Sequence, residues 1–197
     1  SAGEREHYLR LPESGNLKTR EMTALWLSEG ATDVGVVRRL MTLFNEQFTY
    51  TVRPPTLGGE SVDEFLFETR RGFCEHFASS FAFALRSAGV PARVVLGYMG
   101  GEYNALEDYW LVTQAEAHAW TEVWLEGQGW VRFDPTSAVA PSRIEQGIEE
   151  SLEGQERALL GAGRYREPAW IRSMRMRWDA AGYVGHRWVL EYDTNSQ

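Results

Sequence analysis

Cys74 is the single cysteine of the chain and stands in Gly72-Phe73-Cys74-Glu75, where a helical pattern begins. A thiol attacks a carbonyl carbon as thiolate, and the free N–H groups and dipole of a helix N-terminus favour that charge. Gly72 reads as a residue that lets the chain turn tightly and a substrate approach the backbone. Alone, a free cysteine is more often a small buried core residue. A nucleophile also needs a base, and the base needs a group that orients it. His118 opens one alternating run, His118-Ala119-Trp120, and Asp134 closes the next, Phe133-Asp134-Pro135. Taken singly, they read as a structural histidine and a strand-end carboxylate before a proline turn. Taken together with Cys74 they describe acyl transfer. His118 would accept the thiol proton and return it to the leaving amine, and Asp134 would fix the tautomer and steady the imidazolium.

Whether His118 and Asp134 meet depends on the turn Glu126-Gly127-Gln128-Gly129. A two-residue loop at Gly127-Gln128 would put them on opposite faces of the hairpin. An odd loop centred on Gly127 sets Asp134 opposite Trp120 and diagonal to His118 on one face, where diagonal neighbours lie roughly 7–8 Å apart at Cα. Odd loops favour a glycine with positive φ. An odd loop or a bulge is therefore expected.

The elements that must position these residues follow from periodicity. Leu17–Glu29 carries Met22, Leu25 and Trp26 at helical spacing, with Gly30 as a stop. Asp33–Phe48 places Val37, Leu40, Met41 and Phe44 on one stripe, and 51–59, with Pro54-Pro55 and Gly58-Gly59, reads as a loop. Ser61 with Glu64 makes a capping-box pattern for a short helix that breaks at Arg70-Arg71-Gly72. From Cys74, Phe77, Phe81 and Leu85 recur every four residues beside Ala78 and Ala82, until Gly89 and Pro91. Strands are expected at 93–98, 109–113, 118–125 and 130–133. From Pro141 the pattern turns polar and helical, with an arginine-rich helix at 168–178 and a last aromatic segment at 183–192. Helices followed by antiparallel strands indicate an α+β domain.

Composition sets bounds. Over 197 residues, 43% hydrophobic content supports a buried core. A net charge of −8 makes nucleic acid a poor partner, since phosphate binding needs a basic face. Seven arginines lie between Arg157 and Arg187, a stretch that reads as a solvated helix face. A lone cysteine excludes an intrachain disulfide and a cysteine-based zinc cluster. No run of about 18 apolar residues occurs and no leader pattern opens the chain, so no membrane span is expected within it. No calcium-loop pattern is present. Neither a metal nor a cofactor is expected.

Four blocks carry a family resemblance: Gly72-Phe73-Cys74-Glu75-His76-Phe77-Ala78, Ala88-Gly89-Val90-Pro91-Ala92-Arg93-Val94-Val95-Leu96-Gly97-Tyr98, His118-Ala119-Trp120-Thr121-Glu122-Val123-Trp124 and Gly129-Trp130-Val131-Arg132-Phe133-Asp134-Pro135-Thr136. In this order and spacing the stretch 63–137 resembles the transglutaminase-like superfamily. The resemblance implies a papain-like core with N-terminal helices, a nucleophile on a helix N-terminus and an antiparallel sheet, with the triad on Cys74, His118 and Asp134. The division it suggests is an N-terminal helical extension at 1–60, a catalytic core at 61–140 and a C-terminal helical, arginine-rich juxtamembrane segment at 141–197, in one compact unit. The flanks Leu11-Pro12-Glu13-Ser14-Gly15-Asn16 and Leu57-Gly58-Gly59-Glu60 look like the bacterial branch whose catalytic domain sits between transmembrane helices. That implies a periplasmic domain of an inner-membrane protein.

The oxyanion hole is expected from the Cys74 N–H plus one side-chain donor, with Gln47, Tyr50 and Trp120 as candidates. Tyr98, Tyr109 and one or two of Trp110, Trp120, Trp124 and Trp130 are groove candidates for an extended peptide. His76 reads as wall or structure. The implied reaction joins a glutamine carboxamide to a lysine amine. The alternatives are hydrolysis of periplasmic or cell-wall peptides by the same triad, and a peptide-binding module without catalysis.

Overall fold

The computed structural model describes residues 2–106 and 108–141. The expected arginine-rich helix at 168–178 and aromatic segment at 183–192 lie outside the described residues. Helices come first: α1 (Ala2–His7), α2 (Leu17–Ser28), α3 (Asp33–Gln47), then β1 (Thr49–Tyr50), α4 (Ser61–Asp63) with a π-helical turn over Glu64–Thr69, and β2 (Arg71–Gly72). The central helix α5 (Cys74–Ser87) follows, then β3 (Ala92–Tyr98), β4 (Glu102–Asn104), β5 (Tyr109–Leu111), β6 (Ala117–Leu125), β7 (Gly129–Phe133) and α6 (Thr136–Val139). This is the expected α+β core. The main sheet is antiparallel with order β3-β6-β7, and β4 pairs with β5 in a separate ribbon. β1 and β2 form a short parallel pair that no local pattern announced.

Helix α5 runs through the middle because one face is built to be buried. Phe77, Ala78, Phe81, Ala82, Ala84 and Leu85 are all inaccessible or nearly so. The small residues admit close neighbours: the Thr121 hydroxyl on β6 donates to the Ala78 carbonyl at 3.0 Å. The helix stops in a Schellman arrangement, with Val90 N–H bonded to Leu85 O, Gly89 N–H bonded to Arg86 O, and Gly89 at φ 78°. Across from α5, α3 contributes Val36, Val37, Leu40 and Phe44. The Phe44 ring meets Phe48 and Phe77 edge-on at 5.0 and 5.3 Å between centroids. Burying each such ring contributes about 1.5–3 kcal/mol.

Two local expectations are corrected. Leu25 of α2 is exposed, and the helix buries Thr19 and Thr23 in its place. The reason is Asp63, which is buried and accepts from Lys18 N–H, Thr19 N–H and the Thr19 hydroxyl at 2.9, 2.8 and 2.5 Å. It thereby caps α2 from 44 residues away. The capping box at Ser61 and Glu64 does not form either. The Asn16 side chain accepts from Val62 N–H and Asp63 N–H, each at 3.0 Å, while Glu64 accepts from Gly58 N–H. Each of the two helices is thus capped by a residue at the start of the other.

Candidate active site

Cys74 is the first residue of α5, preceded by Phe73 in extended conformation, and no side chain caps that helix end. The helix N-terminus is therefore aimed at the thiol, as the sequence implied. Gly72 acts differently from the sequence reading. It pairs with Tyr50 in the β1–β2 ribbon and is not among the residues with positive φ. What it supplies is the missing side chain: a Cβ there would lie 2.7 Å from His76 Cβ and 2.8 Å from the Phe65 ring. Packing against Gly72 fixes how α5, and with it Cys74, enters the core.

The β6–β7 hairpin has the odd register. Leu125 pairs with Gly129 and Thr121 with Phe133, leaving Glu126, Gly127 and Gln128 in the loop. Gly127 and Gly129 take φ values of 77° and 79°. That register puts His118 and Asp134 on one face, and His118 Nε2 lies 2.7 Å from Asp134 Oδ2. A carboxylate only accepts, so Nε2 donates and Nδ1 is left as the acceptor. Nδ1 is buried and has no aligned hydrogen bond. Cys74 is a second group that interacts with the ring besides Asp134. The His118 side chain is fully buried and that of Asp134 is 10% exposed. Asp134 is held in turn by Thr136 N–H at 3.2 Å, where the chain enters α6. Burial pulls the His118 pKa down, but the bonds to Asp134 and Cys74 outweigh it, and the ring holds its proton above the ordinary histidine range.

Trp120 lies beside the pair, nearly parallel to the His118 ring at 6.3 Å, with the Arg132 guanidinium 4.3 Å from the centre of its own ring. Arg132 also reaches Asp134 Oδ2 at 3.4 Å. The indole and the guanidinium together flank the His118–Asp134 bond.

Cys74 and His118 open onto a cavity of about 510 Å³, whose wall includes Tyr50, Leu96, Tyr98 and Gln114. Of the expected groove and oxyanion residues, the fold brings Tyr50 and Tyr98 to this wall. Gln47, Trp120 and Tyr109 are not part of it. Gln47 is exposed at the end of α3, and Tyr109 is drawn into the β4–β5 ribbon, where its hydroxyl accepts from Asn104. The Trp120 Nε1 is buried without a partner. Sequence reasoning missed Gln114 and Leu96: Gln114 opens a single 3-10 turn with no motif of its own, and Leu96 reads only as one apolar member of a strand. His76 is half-buried, flanked by the Phe65 and Phe73 rings, and burial lowers its pKa. His76 does not line the cavity, so its place between the two rings fits the structural half of the wall-or-structure expectation. Among the described residues, no cluster of His, Cys, Asp and Glu is arranged to hold a metal ion.

The arrangement places a thiol at a helix N-terminus, a histidine bonded to a carboxylate, and a cavity that Cys74 and His118 share. Known proteins resemble the chain. The model of the transglutaminase-like superfamily matches residues 22–135. A protein-glutamine gamma-glutamyltransferase of Pseudomonas aeruginosa is 47% identical over 194 residues, which is 96% of this chain and 29% of the relative. The chain thus spans less than a third of that relative's length. An uncharacterized Bacillus subtilis protein, YebA, is 37% identical over 139 residues, 66% of this chain and 19% of YebA. The crystal structure of the periplasmic domain of TgpA from P. aeruginosa superposes with a TM-score of 0.73 at 48% identity, covering 77% of this chain and 53% of that one. The chain belongs to the transglutaminase-like superfamily.

Proposed function

We propose that this domain transfers acyl groups from glutamine side chains to primary amines, with Cys74 as nucleophile, His118 as general base and acid, and Asp134 as the group that orients His118. The observation that carries the reading is the 2.7 Å His118–Asp134 bond, which leaves Nδ1 as the ring's acceptor in a cavity shared with Cys74. His118 takes the thiol proton. The thiolate attacks the carboxamide carbon, and the C–N bond breaks as the proton passes from His118 to the departing ammonia. A lysine amine then attacks the thioester, gives up a proton to His118, and an isopeptide bond replaces the C–S bond. The negative oxygen formed in each attack meets the Cys74 N–H. Of the three candidate side-chain donors, Tyr50 borders the cavity, and it is the one assigned here.

Hydrolysis is the second reading, because Cys74 is only half-buried and water has access to the same thioester. The full protein is proposed to be anchored in the bacterial inner membrane with this domain on the periplasmic side. The 48% identity to the TgpA periplasmic domain supports that placement. Among the described residues no helix is long and apolar enough to cross a membrane.

The test is incorporation of a fluorescent primary amine into a glutamine-containing protein. Wild type should incorporate it and Cys74→Ala should not. Ammonia release without incorporation would replace transfer by hydrolysis. A Cys74 that reacts with iodoacetamide no faster than a free thiol would remove the catalytic reading altogether.

A further inference from the structure

Among the described residues, strand β3 is an edge of the main sheet, with β6 as its one partner there. In an antiparallel pair, residues alternate between those whose backbone groups face the partner and those whose groups face away. The parity here is fixed at both ends. Ala92 faces away from β6: its N–H goes to the Tyr8 carbonyl at 3.2 Å and its carbonyl accepts from Arg86 Nε at 2.9 Å. Met99 faces β6, with its N–H on the Glu116 carbonyl at 2.7 Å. The outward residues between them are therefore Val94, Leu96 and Tyr98. Among the described residues, nothing pairs with the outer backbone groups of these three.

Free edges are usually guarded by a charge, a proline or a bulge, because they invite another strand. The stretch Val94-Val95-Leu96-Gly97-Tyr98 has no charge and no proline, and its register with β6 runs unbroken through all five residues. Val94, Leu96 and Tyr98 are 38%, 76% and 54% exposed. Leu96 and Tyr98 also wall the cavity that holds Cys74 and His118. An unguarded apolar edge thus leads directly to the reactive thiol. The chain already uses its first position, where Tyr8 supplies the rung at Ala92.

We propose that this edge is a docking strand: an extended peptide segment pairs with Val94, Leu96 and Tyr98 and delivers its glutamine side chain into the Cys74 cavity. The open edge spans roughly 13 Å at about 3.3 Å per residue, enough for a segment of about five residues. Main-chain pairing supplies affinity that is blind to sequence, and alternate side chains of the segment face the cavity wall. The substrate class is therefore glutamine in an unfolded or extended stretch, because a glutamine on a helix has no free backbone to offer. The inference rests on the glutamine reading of the site for the identity of the delivered side chain.

Binding tests it without chemistry. Fluorescein-labelled, glutamine-centred heptapeptides are titrated into Cys74→Ala and read by anisotropy, with single N-methyl groups placed two before, one before, one after and two after the glutamine. Pairing with β3 predicts that N-methylation at positions of one parity weakens binding about tenfold and at the other parity hardly at all. On the protein, Leu96→Pro removes an outward N–H and leaves the ladder to β6 intact, the one arrangement in which a strand tolerates proline. It should weaken binding about tenfold, and more than Leu96→Ala does, in a protein that melts normally. Equal sensitivity at all four peptide positions, no binding by any of the peptides, or full binding by folded Leu96→Pro overturns the proposal. If Leu96→Pro does not fold, the peptide series decides alone. Amine incorporation by wild type is scored separately: alternating binding without incorporation keeps the docking strand and rejects the transferase.

Discussion

Asp63 and Asp134 are both largely buried carboxylates, and the fold puts them to opposite uses. Asp63 spends its oxygens on two backbone N–H groups and a hydroxyl of α2, donors that do not titrate. Asp134 spends one oxygen on the imidazole of His118, a donor that does. The first arrangement locks two helices by their starts, with Asn16 returning the cap. The second ties a titratable ring to a cavity that it shares with Cys74, where the proposed function needs a proton to move. On the proposed function, the environment of a carboxylate, more than its burial, separates a structural joint from a reactive site.

The comparison breaks most visibly at His118. His118→Ala removes the base but none of the backbone caps, so kcat/KM should fall by about 10³–10⁴, the full scale of general acid–base catalysis. The melting temperature should move far less than the rate. Asp63→Ala should do the reverse. Loss of a trans cap and of hydrogen bonds to a charged acceptor costs about 2–3 kcal/mol, or roughly 5–10 °C in melting temperature for a domain of this size. The rate of Cys74 alkylation in the folded fraction should stay near that of wild type. An Asp63→Ala protein that melts normally would dissolve the distinction.

Gly72→Ala tests the ground between the two regions. The added Cβ meets His76 and Phe65 below 3.0 Å, and the backbone before Cys74 must shift. Overpacking of this kind costs about 1–3 kcal/mol. Both stability and alkylation rate should drop, since the same contact seats α5 and its first residue. The smallest change is one of shape. Asp134→Asn removes a group that holds the His118 pKa up, leaving burial to lower it. The imidazolium is then lost at lower pH, and the acid limb of the pH–rate profile, set by formation of the neutral base, moves acidward. A limb that stays in place would show that Asp134 does not tune the ring.

The pairing of His118 with Asp134 is more legible in the sequence than the scaffold around it. Hairpin parity leaves two registers open in the sequence, and the structure takes the odd one, with Gly127 and Gly129 at positive φ, which puts His118 and Asp134 on one face. Cys74 at a helix start was readable from the Phe77, Phe81, Leu85 spacing that follows it. The capping box at Ser61 and Glu64 looked as good locally and does not form. Asn16 lies 46 and 47 residues from the N–H groups it caps, beyond the reach of any local pattern. Gln47 and Tyr109 were displaced for the same reason, since only the tertiary fold decides which loop faces the cavity. The direction of the β3 edge was likewise invisible until Tyr8 and Glu116 fixed its parity.

The central claim is that Cys74 carries the acyl group. Intact-mass spectrometry of the acid-quenched protein, mixed with a glutamine peptide in the absence of amine, reads it directly. The account predicts an adduct on Cys74 of the peptide mass less ammonia, absent from Cys74→Ala and discharged by added primary amine. Amide turnover that proceeds equally in Cys74→Ala, with no adduct in either protein, would contradict it.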